Sequence, residues 1–474
     1  MASHRYVLLP PHGLRWRGAA GGPIPSPAPA TGVTVLDTLA AGASGATLVA
    51  LPSGGQSVLR RELPGVLVAP IRRYRPALFR PDVRLPMTTA AFDQPPVEVR
   101  VVSAADGRPL PGVHMVAFVD FASRVGADAR SDRNGVARLR LGDATVLERL
   151  YSFDALDHWS QLRRRVTVGP EMVVALRPLD LATPDQLAFR YGTPRSSVGR
   201  GVRVAVVDTG VALEHPDLVV TGGRNCVLGE DEADFGPNGL RHGTHVAGIV
   251  AARGRPPSGR AGVAPGVELR SYRVFGRGDG DATNFAIAKA VDAAVEDGCD
   301  VINLSLGGGR PDPVIRAALE EAQLAGAVVV AAAGNDGRQP VSFPAHQPDV
   351  LAVSALGRTG TFPPDAAGSA ERRGPYGDDG ADFVAAFSNV GHVTVTAPGV
   401  AIVSTVPGGY VDLDGTSMAC PAVTGVVARV LSGTRAVRNR PRGPERAAAV
   451  VAELRRRARS LGFPPALEGH GLAK

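Results

Sequence analysis

Four short stretches of the chain hold side chains that could do acid–base, nucleophilic or electrostatic chemistry. Asp208 ends the apolar run 202–207 and opens Asp208-Thr209-Gly210. Alone, that triplet suits a turn or helix cap as well as a catalytic carboxylate. It also suits an aspartic protease, but such an enzyme shares a proton between two carboxylates, and no second Asp-Thr-Gly or Asp-Ser-Gly occurs. His242 opens His242-Gly243-Thr244-His245 at an expected helix start. Two imidazoles at i, i+3 would suit a metal, yet no cysteine or third histidine adjoins them, so no metal site is expected and His245 reads as a packed, hydrogen-bonded histidine. Ser417 stands at the head of an apolar helix in Gly415-Thr416-Ser417-Met418-Ala419-Cys420-Pro421. A serine there is commonly an N-cap. As a nucleophile it would instead have its own backbone N–H and the helix dipole to stabilise an oxyanion. Asn335 follows the run 328–333 and Gly334. It is either an ordinary turn residue or a side-chain amide aimed at developing negative charge.

Together the four are far more specific than any one of them, in the chain order Asp208, His242, Asn335, Ser417. Asp208-Thr209-Gly210, His242-Gly243-Thr244-His245, Ala333-Gly334-Asn335 and Gly415-Thr416-Ser417-Met418-Ala419-x-Pro421 resemble the four signature blocks of the subtilisin-like (subtilase) serine proteases. The resemblance runs over roughly residues 198–474. It implies a serine endopeptidase that hydrolyses peptide bonds in proteins or peptides, with Asp208, His242 and Ser417 as triad and Asn335 in the oxyanion hole. It also implies that Ser305-Leu306-Gly307 and Gly334 border the substrate backbone, that 278–280 lies in a neighbouring substrate loop, and that Ser342 sits near a side-chain pocket. Two other classes use the same residues: an esterase or acyl-transfer enzyme on this triad, and a non-catalytic subtilase-fold binding protein. Many subtilases bind calcium, and Asp217 matches a ligand position. The loop 253–260 carries three arginines and no carboxylate, a poor set for a hard cation, so no cofactor is expected.

The elements that must position these residues follow from pattern. Buried-type strands read at 202–207, 269–274, 301–304, 327–332, 350–355 and 393–397 and alternate with helical stretches at 242–252, 282–296, 313–325 and 417–431. That alternation predicts an α/β fold, a doubly wound parallel sheet with its site at the carboxyl edge of the strands. Upstream, residues 1–80 read as a small α+β unit in the place of a propeptide, and 81–96 as a linker. Residues 97–180 read as an all-β sandwich, with a tight turn at Asp132-Arg133-Asn134-Gly135. Its phrase Asp106-Gly107-Arg108-Pro109-Leu110-Pro111-Gly112-Val113 resembles the carboxypeptidase-regulatory-like or transthyretin-like modules. Residues 181–200 read as a second linker and a place for self-cleavage, followed by a catalytic domain over 201–474. The stretch 357–382, rich in Gly, Pro and Asp, reads as a solvated surface loop.

Charge and composition narrow the rest. The 474 residues carry a net charge of +7, and all but two of the 52 basic side chains are arginine. The excess lies in residues 1–190, with 23 basic and 16 acidic groups, whereas residues 191–474 balance at 29 each. Nine arginines cluster between positions 435 and 459 without interleaved aromatics, so no nucleic-acid partner is expected. Three cysteines make no disulfide framework. The N-terminal residues show no signal-peptide pattern, and no run approaches a membrane span. The expected location is therefore the cytoplasm or outside by a non-standard route, with no membrane partner. The sandwich has no partner that its sequence identifies.

Overall fold

The computed structural model describes residues 3–10, 32–39, 45–86, 94–255 and 259–474. Residues 87–93 of the linker expected over 81–96, and the middle of the 253–260 loop, lie outside the described residues.

The centre is an eight-stranded sheet. Its main order is Val220–Asn225, Glu268–Arg273, Arg203–Asp208, Val301–Leu304, Val328–Ala332, Val350–Arg358 and Asp382–Val384, with Val395–Pro398 also pairing to Val350–Arg358. All pairs are parallel except that of Asp382–Val384. Strand periodicity of two explains the near-continuous apolar runs. Val204, Val206, Val328 and Val330 face helices His242–Ala251 and Thr416–Gly433. Ala205, Val207, Val329 and Ala331 face helices Asn284–Glu296 and Pro313–Leu324 on the other side. A strand covered on both faces needs apolar residues at every position. The carboxyl ends of these strands place Asp208 and the turn after Ala332 at one edge.

Among the described residues of 3–70, an antiparallel sheet runs in the order Thr34–Thr38, Thr47–Pro52, Ser3–Leu9, Leu67–Pro70, with one helix, Gly55–Glu62. Leu8, Val49, Leu51, Leu59 and Val68 form its own small core. The opposite face, Val7, Leu9, Leu48 and Ala69, is packed into the core of the central domain. Lys289 reaches across to Asp37 at 2.9 Å.

The sandwich has a three-stranded sheet (Val136–Leu139, Val97–Ser103, Met172–Leu176) and a five-stranded one that includes Leu85–Pro86. Residues 85–86 therefore belong to the sandwich and not to a linker. The turn at 132–135 closes on Gly135, at φ 75°, where a Cβ would stand 2.5 Å from the Val101 carbonyl oxygen. Asp132 Oδ1 accepts from the N–H of Asn134 and of Val136.

Two expectations change. Residues 181–200 are not a free linker: Asp185 caps helix Gln186–Tyr191, Leu187 enters the central core, and Arg190 pairs with Asp382. The stretch 357–382 is not a solvated loop either. Asp365 accepts from the Leu162 N–H (2.8 Å) and from Gln161 Nε2 (2.8 Å), and Ala367 packs among Phe118, Tyr151 and Phe153 of the sandwich. Small apolar residues there fit a cluster that composition alone does not reveal.

Candidate active site

Asp208 and His242 are both buried, and His242 Nδ1 donates to Asp208 Oδ1 at 2.7 Å. The same oxygen accepts from the Thr209 N–H at 2.7 Å. The histidine heads its helix and Asp208 ends its strand, so neither side chain depends on a loop for its position. His242 Nε2 has no partner. Ser417, second residue of its helix, donates from Oγ to the Ser305 carbonyl oxygen at 2.9 Å. In return, Ser305 Oγ donates to the Ser417 carbonyl oxygen at 2.9 Å. That carbonyl lacks its usual helical donor because residue 421 is proline, and the Ser305 hydroxyl replaces it.

Asn335 Oδ1 accepts from both the N–H (2.9 Å) and the hydroxyl (2.9 Å) of Thr416. These two bonds set the direction of its amide. Asn335 Nδ2 and the Ser417 N–H (3.1 Å) then donate to one atom, the carbonyl oxygen of Ala77. Two donors converging on a carbonyl beside a serine at a helix N-terminus form an oxyanion-binding arrangement.

The occupant is the protein's own chain. Arg73–Pro76 lies antiparallel between Ala282–Thr283 and Leu306–Gly307, with Tyr74 opposite Ala282 and Pro76 opposite Leu306. The Ala77 N–H donates to the Ser305 carbonyl oxygen at 3.0 Å. Tyr74 is buried, its ring 6.0 Å from that of Phe343 and its hydroxyl donating to Asp312 at 3.3 Å. Gly415 sits beneath the Ala77–Leu78 bond at φ 151°. A Cβ there would stand 2.6 Å from the Ala77 oxygen and 3.2 Å from Leu78 Cα. Gly334, at φ 108°, leaves 2.4 Å between an added Cβ and Asn389 Nδ2, and Ser342 Oγ is the next neighbour.

The expected residues thus gather at one sheet edge, and Ser305, Leu306 and Gly307 pair with the inserted strand. The loop at 278–280 contributes less backbone than expected, because the pairing lies at 282–283. Asp279 instead meets Arg73 at 3.1 Å. Sequence reasoning missed the inserted strand itself. Backbone pairing makes no demand on residue type, and Pro76-Ala77 carries no chemical signal.

A comparison with protein families matches residues 199–453 to the Subtilase family. The chain belongs to the subtilase family. It is a subtilisin-like serine endopeptidase. Subtilisin DY of Bacillus licheniformis is 39% identical over 240 residues, covering 49% of this chain and 78% of that protein. Subtilisin Savinase of Lederbergia lenta is 39% identical over 238 residues, covering 50% and 78%. The thermostable alkaline protease of Halalkalibacterium halodurans is 38% identical over 240 residues, covering 50% and 59%.

Two features of this subtilase bear on its surroundings. Asp217 does not fit a calcium ligand: Oδ1 accepts from the Arg255 N–H (2.7 Å), and Oδ2 from the Arg260 N–H (3.0 Å) and the Tyr410 hydroxyl (2.6 Å). Protein donors take up the carboxylate. His245 donates through Nε2 toward the Ile402 and Val411 carbonyl oxygens at 2.9 and 3.1 Å, and burial pushes its pKa down to about 3, so it stays neutral.

Asp414, three residues before Ser417, is buried. Desolvation and then the neighbouring Asp412 push its carboxyl up to about 8. The folded protein therefore keeps a proton that the unfolded chain gives up near pH ~3.9. Stability should fall as pH rises from about 4 to about 8 and then level off. Asn at this position can still accept from the Ala401 N–H, now 2.7 Å from Asp414 Oδ1. The melting temperature of Asp414→Asn should match wild type below pH ~4, and its advantage should open across that window. A difference that is constant with pH would contradict the assignment.

Proposed function

We propose that Ser417 is the nucleophile, His242 the general base and then acid, and Asp208 the group that holds the imidazole in its reactive tautomer. The observation that carries this reading is the Ala77 carbonyl oxygen held between Asn335 Nδ2 and the Ser417 N–H. In the reaction, Ser417 Oγ leaves the Ser305 oxygen, gives its proton to His242 Nε2, and attacks the carbonyl carbon. The oxyanion that forms accepts from Asn335 and the Ser417 N–H. His242 then passes the proton to the leaving nitrogen as the C–N bond breaks, and water repeats the sequence on the acyl-enzyme. Ser305, Leu306, Gly307 and Gly334 hold the substrate backbone as an added strand.

The first substrate is the chain's own Ala77–Leu78 bond, with residues 1–77 as a prosegment that fills the cleft until it is released. This places self-processing about a hundred residues before the 181–200 stretch that composition favours. The insertion of a sandwich after the prosegment is then no obstacle, because Leu78 begins the sandwich-bearing fragment. The two-sheet architecture supports a carboxypeptidase-regulatory-like or transthyretin-like module there.

The substrates are proteins and peptides with a small residue before the scissile bond and an aromatic residue three positions earlier, as Ala77 and Tyr74 are placed. Burying the Tyr74 ring contributes about 1.5–3 kcal/mol. A chromogenic Tyr-Arg-Pro-Ala peptide should therefore exceed Ala-Arg-Pro-Ala in kcat/KM by about one to two orders of magnitude. The direct test of the whole reading is turnover of a denatured protein by the purified chain, together with labelling by a fluorophosphonate. Loss of both in Ser417→Ala is the expected result. Labelling at another serine would overturn it.

A further inference from the structure

The strand that lies in the cleft is rich in arginine. In Arg72-Arg73-Tyr74-Arg75-Pro76-Ala77, counted back from the Ala77–Leu78 bond, Arg75, Arg73 and Arg72 stand third, fifth and sixth. Strand periodicity turns Tyr74 inward and leaves Arg73 and Arg75 at the rim. Each of the three arginines meets a carboxylate of the catalytic domain. Arg75 Nε donates to Asp281 Oδ1 at 3.0 Å. The pairing of Tyr74 with Ala282 and of Arg73 with Thr283, continued by one residue, brings Asp281 opposite Arg75, a cross-strand pair of opposite charge. Arg73 Nη1 donates to Asp279 Oδ2 at 3.1 Å. Arg72 enters a deeper site. Its Nη1 donates to the carbonyl oxygens of Pro311 and Arg310 at 2.9 and 3.3 Å, and its Nε lies 3.8 Å from Asp312 Oδ2. The Asp312 side chain is 1% exposed and is fixed by Asn284 Nδ2 at 3.0 Å and the Val314 N–H at 2.9 Å. The neighbouring Arg277 has its own partner in Asp234. Backbone pairing would hold nearly any residues in this cleft, so the three charge pairs select where the added strand does not.

Resting on the reading that Ala77 occupies the place of the residue before the scissile bond, we propose that Asp281, Asp279 and Asp312 are subsites for cationic side chains, and that the enzyme selects basic segments of proteins and peptides, with arginine or lysine three, five and six residues before the bond it cuts. When the prosegment leaves, the three carboxylates lose their partners and face the incoming chain. At the sixth position arginine exceeds lysine, because a guanidinium can meet one carboxylate and two carbonyl oxygens at once. The selection is for a pattern of charge and not for one residue. An exposed ion pair is worth up to about fivefold in binding, so three together give about tenfold or more. Salt screens the two rim pairs most, since Arg73 and Arg75 are the more exposed.

The test compares kcat/KM of the self-processed chain on three p-nitroanilides: acetyl-Arg-Arg-Tyr-Arg-Pro-Ala, acetyl-Ala-Ala-Tyr-Ala-Pro-Ala and acetyl-Glu-Glu-Tyr-Glu-Pro-Ala. The arginine peptide should exceed the alanine peptide by about tenfold or more, and the glutamate peptide should be the poorest of the three. Raising the salt to about 1 M should shrink the spread severalfold. These ratios do not depend on how much enzyme is folded or still occupied by its prosegment. In Asp279→Asn/Asp281→Asn the ratio of arginine to alanine peptide should fall severalfold. In Asp281→Arg, peptides that differ only at the third position should reverse their order, with glutamate above arginine. Equal kcat/KM on the three peptides, or a preference for arginine that neither salt nor the Asp281→Arg exchange moves, would overturn the proposal while leaving Ser417 in its role. A chain that hydrolyses a denatured protein but releases no p-nitroaniline from any of the three would overturn the placement of Ala77, and this proposal with it.

Discussion

Ser417→Ala is expected to remain a single full-length chain and to lose protein hydrolysis by about six orders of magnitude in kcat, the scale found when the nucleophile of subtilisin is removed. The reason is local. Without Oγ there is no covalent acyl-enzyme, so water must attack a carbonyl held only by Asn335 and the residue-417 N–H. The substitution should fold, because the hydroxyl donates only to the Ser305 oxygen and the return bond, Ser305 Oγ to the residue-417 carbonyl, uses backbone. It should also keep the prosegment bound in the cleft, since the strand pairing to Ala282–Thr283 and Leu306–Gly307 is untouched. Gel mass after prolonged incubation and a melting curve check both halves. A Ser417→Ala chain that cuts itself would contradict the account.

Asn335→Ala should lower kcat by on the order of 10²–10³, the cost of losing such a donor in subtilisin, with a smaller effect on KM. Alanine also leaves the Thr416 N–H and hydroxyl without their acceptor, worth about 1–3 kcal/mol of stability if they stay buried. Asn335→Asp separates the two effects. A carboxylate can still accept from Thr416, but it presents no donor and a negative charge to the oxyanion. Its kcat should fall at least as far as that of Asn335→Ala while its stability stays nearer wild type at neutral pH. Equal activity of Asn335→Asp and wild type would remove Asn335 from the chemistry.

The site was legible in the sequence wherever function demands particular atoms. In the proposed mechanism Asp208, His242, Asn335 and Ser417 each present one side-chain group, so their identities and neighbours are recognisable. The strands that carry them were legible for a different reason: both faces of the central sheet are covered, so 327–332 reads as an unbroken apolar run and 202–207 as one interrupted only by Arg203. The inserted strand was not legible, because Arg73–Pro76 binds through backbone groups that nearly any residue possesses. Nor was the docking of the sandwich. It depends on Asp157, Ser160 and Gln161 meeting Tyr410, Asp412 and Asp365 across some two hundred residues or more, and polar residues in Gly- and Pro-rich stretches read as solvent-exposed until their partners are placed. The helix at 186–191 was hidden in the same way, by the Pro and Gly residues that flank it.

The N-terminal sequence of the larger fragment from the self-processed wild-type chain tests the central claim most directly. If the Ala77 carbonyl lies where the reacting carbonyl lies, that fragment begins Leu78-Phe79-Arg80, and none forms from Ser417→Ala. A fragment that begins within 181–200, or one that forms without Ser417, would contradict it.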